Sequence, residues 1–167
     1  FVLKFYRYGI KPKEEIGHAI RKLRREHIVE VLKSGEAEGR VYEIQESIEH
    51  GSLAQWGKKG RLSDKEGQKV LRELSEALAH LHEANVVHRD IKPSNILIRT
   101  EEPLDLVLID FGIASMADLS LHLTNLNRTA AYCAPEAYMG VVGKESDWWS
   151  VGVVMLEMLE GRHPWSG

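Results

Sequence analysis

The chain has 167 residues, enough for one well-packed domain, with 22 Lys and Arg against 25 Asp and Glu. A formal charge of −3 excludes a global basic field, so nucleic acid is not an expected partner. A single cysteine, Cys133, excludes an intrachain disulfide and fits a reducing, cytoplasmic setting; the longest apolar run, Val151 to Leu156, is too short to span a bilayer.

In chain order, Phe1 to Arg7 reads as a strand. The pattern opens at Phe1 without an initiator Met, which predicts a piece of a longer protein. Lys11 to Arg25 reads as a helix with Ile16, Ile20 and Leu23 on one face and Pro12 in the first turn. Residues 1–33 carry nine Lys or Arg against four Glu, the pattern of a solvated helix face, with a docking surface as the sharper alternative. Ile28 to Lys33 and Val41 to Glu46 read as strands with a turn through Gly35 and Gly39. Glu49 to Ser52 breaks this pattern. The division expected is a small sheet-rich lobe over 1–45, a hinge over 46–51 and a helical lobe over 52–167.

Ser63 and Glu66 form an S-x-x-E capping box. Val70, Leu71, Leu74, Ala77, Leu78 and Leu81 then make an apolar helical stripe ending near Asn85. Val86-Val87 leads into His88-Arg89-Asp90-Ile91-Lys92-Pro93-Ser94-Asn95. Ile96 to Arg99 and Leu106 to Ile109 read as buried strands around a polar turn, Thr100 to Asp105. Residues 113–133 read as an exposed loop. Ser146 to Glu160 reads as a second apolar helix, closed by Gly161.

The run from His88 to Asn95 places a carboxylate, an amine and a carboxamide within six positions. Fifteen residues later comes Asp110-Phe111-Gly112. Each residue alone has an ordinary reading: Asp90 a turn, Asn95 a cap, Asp110 a strand end. Together, in this order, they resemble the catalytic and magnesium loops of eukaryotic-type (Hanks-type) Ser/Thr protein kinases. Val2-Leu3-Lys4, Ala134-Pro135-Glu136, Thr129 with Tyr132, Asp147 to Gly152, and Gly161 with Pro164-Trp165 extend the resemblance along the chain. Lys92, two residues after Asp90, is the Ser/Thr pattern. Ile109 to Ala114 is in the style of bacterial members.

The resemblance implies an α+β, two-lobed protein-kinase-like fold, incomplete at both ends. It implies transfer of the γ-phosphoryl of ATP, with Mg2+, to Ser/Thr hydroxyls of a protein substrate. Asp90 would orient the attacking hydroxyl and Lys92 would neutralise the moving phosphate. Asn95 and Asp110 would ligate magnesium, and Lys4 would grip the α- and β-phosphates. The carbonyl of Glu46 and the backbone of Ile48 would hold adenine, behind which Gln45 would sit, with Leu97 as the floor. Arg89 would pair with a phosphate on the activation loop, with Ser115, Ser120, Thr124 and Thr129 as acceptors, Thr124 foremost; Thr129 would face substrate.

Departures accompany the match. The Gly-rich phosphate-covering loop is absent, as are the helices that would follow Trp165 and the Arg that would pair with Glu136. Glu15 or Glu14 would have to pair with Lys4, although the apolar spacing puts Ile16 near that position. Arg128 stands before Thr129 in place of a small residue. A pseudokinase that keeps the fold as an interaction module is the second reading, and a small-molecule phosphotransferase the third, disfavoured by Lys92 and Ala-Pro-Glu. His80 and His82 lie on different sides of one helix, and His82-Glu83 lacks the second His of a zinc motif. His88 reads as a structural peg and Cys133 as packing.

Overall fold

The structure is a computed structural model that describes residues 1–9, 13–23, 26–112, 114–116 and 130–166. It is an α+β fold. A three-stranded antiparallel sheet comes first, built from β1 (Val2–Phe5), β2 (Val31–Ala37) and β3 (Arg40–Gln45) in the order β1-β3-β2. In the β1–β3 register Lys4 stands opposite Glu43 and Val2 opposite Gln45.

The β2–β3 turn is Glu38-Gly39, with φ of 52° and 71°. Two consecutive left-handed residues are what a tight primed hairpin turn requires. Gly35 is therefore not a turn residue. It lies within β2 opposite Tyr42, and a Cβ there would meet the Tyr42 hydroxyl at 2.7 Å.

Helix α1 (Glu14–Lys22) is shorter than the periodicity predicted. Its acids, Glu14 and Glu15, occupy the first turn and its bases, Arg21 and Lys22, the last, complementing the helix dipole. Ile16 is its buried residue. Pro12 and the basic pair at 24–25 lie outside the described residues.

The rest is mainly helical. Helix α2 (Leu53–Gly57) opens with a capping box between Ser52 and Gln55. Helix α3 (Asp64–Glu83) opens with the expected box between Ser63 and Glu66, and Asn85 in the left-handed region (φ 58°) follows its end. Val70, Leu74, Ala77, Leu78 and Leu81 are essentially inaccessible, whereas Leu71, one position off the stripe, is 44% exposed. Helix α4 (Pro135–Tyr138) is one turn long. Helix α5 (Lys144–Glu160) packs on α3 through Val151, Val154, Met155 and Met158, and Gly161 (φ 72°) caps it. Truncating a side chain such as Leu78 in this core to Ala would cost about 2–5 kcal/mol.

Two small ladders sit between sheet and helices. Strand β4 (Val86–Val87) pairs with β7 (Ser115–Met116), and β5 (Ile96–Glu101) with β6 (Leu104–Leu108). The latter hairpin is stitched to the first sheet's side of the molecule: Leu108 donates to the His27 carbonyl and Val29 to that of Leu108. No helix among the described residues is long and apolar enough to cross a membrane.

Candidate active site

The segment after β4 is held from below by one buried carboxylate. Asp147, fully buried at the start of α5, accepts the amides of His88 (2.9 Å) and Arg89 (2.8 Å), and His82 Nε2 lies 2.9 Å from its Oδ2. Arg89 has a φ of 73°, which a non-glycine residue adopts only when its surroundings impose it. The Asp147 bond to its amide helps to do so.

His88 is inaccessible and fixes the loop through both ring nitrogens. Nε2 donates to the Ile109 carbonyl (3.0 Å) and Nδ1 accepts the Asp90 amide (3.3 Å), a pattern that requires the neutral ring. Burial holds its pKa below the usual value, against the pull of Asp147 and Asp90. Its ring also lies 4.7 Å from that of Phe111.

Asp90, Lys92 and Asn95 converge. Asp90 Oδ2 accepts from Lys92 Nζ and from Asn95 Nδ2, each at 2.8 Å. Asn95 Nδ2 also donates to the Asp90 carbonyl (2.9 Å), which turns its Oδ1 the other way. The single turn Pro93–Asn95 makes this possible by folding Asn95 back over Asp90. The Ile109 amide donates to the Asn95 carbonyl (3.0 Å), so the two loops are laced together.

Asp110 follows with a left-handed φ of 67°. Its Oδ1 accepts Lys4 Nζ at 2.8 Å and the Gly112 amide at 3.4 Å. Burial opposes ionisation here, but the bond to Lys4, its charge and the Gly112 amide outweigh it and hold the carboxyl below the usual range. Lys4 Nζ also lies 4.7 Å from the centre of the Tyr6 ring. Burial pushes the Tyr6 phenol up, and the adjacent Glu43 carboxylate, followed by Asp110, pushes it further.

Asn95 Oδ1 and the Asp110 carboxylate are hard oxygen donors of the kind that suits magnesium. Leu97 is partly buried and bridges to Ser52. Glu46 donates its amide to the Glu30 carbonyl, and its side chain accepts from Arg99 at 2.8 Å. Among the described residues, no backbone hydrogen bond engages the Glu46 carbonyl or the amide and carbonyl of Ile48. Gln45 is buried and donates to Glu43 Oε2.

The structure does not bring Glu15 to Lys4. Glu15 is exposed, because α1 is rotated to bury Ile16. Ser115 is buried in β7, so it is not a free acceptor; Thr124 and Thr129 lie outside the described residues, as do Ser120 and Arg128. Glu136 is half-buried and accepts the Ser146 hydroxyl at 3.3 Å. Sequence reasoning passed over Asp147 as an individual residue, although it opens the Asp-Trp-Trp run, and set His82 aside as lacking a zinc motif, whereas its ring lies against Asp147. It also passed over Tyr6, two residues beyond Lys4 in the chain, and Glu43, which the strand register brings opposite Lys4.

Known proteins resemble this chain in sequence. The protein kinase domain family matches residues 11–167. The chain is 34% identical, over 84% of its length, to serine/threonine-protein kinase AtPK1/AtPK6 of Arabidopsis thaliana. It is 32% identical, over 91% of its length, to calcium/calmodulin-dependent protein kinase type IV of Mus musculus. It is 33% identical, over 89% of its length, to serine/threonine-protein kinase PrkC of Bacillus subtilis. It spans 30%, 33% and 25% of those three proteins respectively. With the laced loops bearing Asp90 and Asp110 and a family match over nearly the whole length, the chain belongs to the protein kinase domain family.

Proposed function

We propose that the chain is the core of a protein serine/threonine kinase that transfers the γ-phosphoryl of ATP to Ser/Thr hydroxyls of proteins. The observation that carries this reading is the convergence of Lys92 and Asn95 on Asp90 Oδ2, each at 2.8 Å. In this reading Asp90 orients the acceptor hydroxyl and takes its proton, and Lys92 faces the charge that develops on the phosphoryl oxygens. Asn95 and Asp110 hold Mg2+, which supplies charge neutralisation to the phosphates. Lys4 holds the α- and β-phosphates. Adenine lies between the Glu46 to Ile48 backbone and Leu97. Residues 46–51 form the hinge between the lobes over 1–45 and 52–167, and the kinase acts in the cytoplasm without nucleic acid as a partner. Arg89 pairs with an autophosphorylated loop residue, Thr124 foremost, and Thr129 faces substrate.

The test is phosphoryl transfer from Mg-ATP by the full-length protein to itself and to a generic protein acceptor, with Asp90→Asn as control. Incorporation that disappears in the variant, with phosphate mapped to Thr124, supports the reading. Incorporation that survives the substitution sinks the assigned chemistry, and phosphate absent from Ser115, Ser120, Thr124 and Thr129 alike sinks the regulatory part. The exposed position of Glu15 favours a second reading, a nucleotide-binding module without turnover. That reading predicts ATP binding with no incorporation in the parent.

A further inference from the structure

Lys4 would need a carboxylate partner other than Asp110 once that residue ligates a cation, and helix α1 does not supply one. Glu14 and Glu15 line a cleft between α1 and strands β2 and β3 that Glu43 also borders, and both are exposed there. The face of α1 turned to the sheet presents Ile16, Gly17, Ile20 and Arg21. The carboxylate in that inner cavity is Glu43, which comes from β3.

Glu43 stands directly opposite Lys4 in the β1–β3 ladder. Directly opposed residues project from the same face of a sheet with Cβ atoms about 4.5–5.5 Å apart, well within the reach of a lysine stem. The Glu43 carboxylate is already oriented. Its Oε2 accepts the Tyr6 hydroxyl and Gln45 Nε2, both at 3.0 Å. Its Oε1 accepts no hydrogen bond among the described residues. Lys4 Nζ lies over the same Tyr6 ring that bonds Glu43.

We infer that Glu43 is the positioning residue for Lys4: a carboxylate supplied by the sheet, in place of one from the helix, holds the ammonium toward the nucleotide phosphates when Asp110 is engaged by metal. The inference rests on the reading that Lys4 grips those phosphates. A divalent ion held by Asp110 would repel the ammonium that now bonds its Oδ1, and Glu43 Oε1, which accepts no hydrogen bond among the described residues, would receive it. Tyr6 and Gln45 keep that carboxylate from following the ammonium.

Equilibrium binding of Mg-ADP and of adenosine to the full-length protein tests this without turnover. Gln at position 43 retains a carbonyl for Tyr6 and Gln45 and removes the charge. Glu43→Gln is expected to weaken Mg-ADP about tenfold, which is one misplaced charge–phosphate contact of about 1.4 kcal/mol, and to leave adenosine unchanged. Glu43→Asp should weaken Mg-ADP less, and Glu15→Gln should weaken neither ligand. Equal Mg-ADP affinity in parent and Glu43→Gln overturns the inference and leaves the proposed function standing. A parent that binds neither ligand overturns both. Parallel loss of ADP and adenosine assigns Glu43 to packing alone and also overturns it. Should Glu43→Gln lose its cooperative melt, Glu43→Asp carries the test, with a selective loss of Mg-ADP expected and unchanged or parallel affinities overturning the proposal.

Discussion

Asp147 Oδ1 accepts the backbone amide of Arg89 at 2.8 Å across 58 residues of chain. Its other oxygen takes the His88 amide and the His82 ring, so the loop that carries Asp90 is anchored on the helical core rather than on its own neighbours. The left-handed Arg89 is the visible consequence: the backbone there follows the anchor.

Replacing that carboxylate is therefore expected to unfold the loop from below. In Asp147→Ala two buried amides and one ring nitrogen lose their acceptor, and each unsatisfied group costs about 1–3 kcal/mol. Asp147→Asn is expected to do little better, because its NH2 must face a donor. Urea denaturation should show a loss of roughly 3 kcal/mol or more for both variants. A loss under 1 kcal/mol for Asn would mean that the anchor tolerates a neutral amide.

Lys92 donates to Asp90 Oδ2 from a partly exposed position, so it can be removed without disturbing the core. Lys92→Met is expected to lower kcat roughly 10²-fold, the usual cost of one charge-stabilising donor, with the KM for ATP changed little. Steady-state kinetics on the full-length protein reads both. A rise in KM with kcat unaltered would place the amine in ground-state binding.

The motif residues were legible because their geometry is local: Asp90, Lys92 and Asn95 lie within one loop and turn, and a single turn at Pro93 brings them together. The hairpin turn and α2 were less so. Gly35 looks like a turn glycine until its opposing Tyr42 is known, and the Ser52–Gln55 box is as clear a signal as Ser63–Glu66 but heads only five helical residues. The carboxylate opposite Lys4 was legible only in part, since the apolar spacing already places Ile16 rather than Glu15 inward but says nothing of β3. It depends on whether α1 presents position 15 or 16 inward, a rotation of about 100°, and on which β3 residue falls opposite Lys4. Both are set by packing of the whole sheet against the helix.

His88 sets a pH dependence. Its ring is neutral in the fold, with its pKa held below about 6.5 by burial. As pH falls below about 6.5, the unfolded chain binds the proton that the folded chain refuses, so stability declines; above that value its contribution is constant. Thermal unfolding should show a falling midpoint below pH 6.5. Carboxylates such as Asp110, whose pKa is lowered, add their own loss only further down, below the unfolded carboxylate value of about 4. A His88→Gln variant should start less stable and lack the upper step. A slope between pH 5 and 6.5 that persists in the variant would assign it to another histidine.

Arg99 joins three parts of the chain at once. It donates to Glu46 Oε1 (2.8 Å), to Asp105 Oδ2 (3.1 Å) and to the Glu26 carbonyl (3.0 Å), linking the segment after β3, the β5–β6 hairpin and the run before β2. About a quarter of the side chain is exposed, so solvent screens part of the gain. Arg99→Met is expected to cost about 2 kcal/mol, since hydrogen bonds to charged groups contribute roughly 1.5–3 kcal/mol each before screening. Lys cannot reproduce the planar fork that reaches two carboxylates and a carbonyl together, so Arg99→Lys should recover less than half of that loss. Urea midpoints of the two variants decide the point. A lysine variant as stable as the parent would show that a point charge suffices there, and that the bridging geometry contributes nothing to holding the sheet against the hairpin.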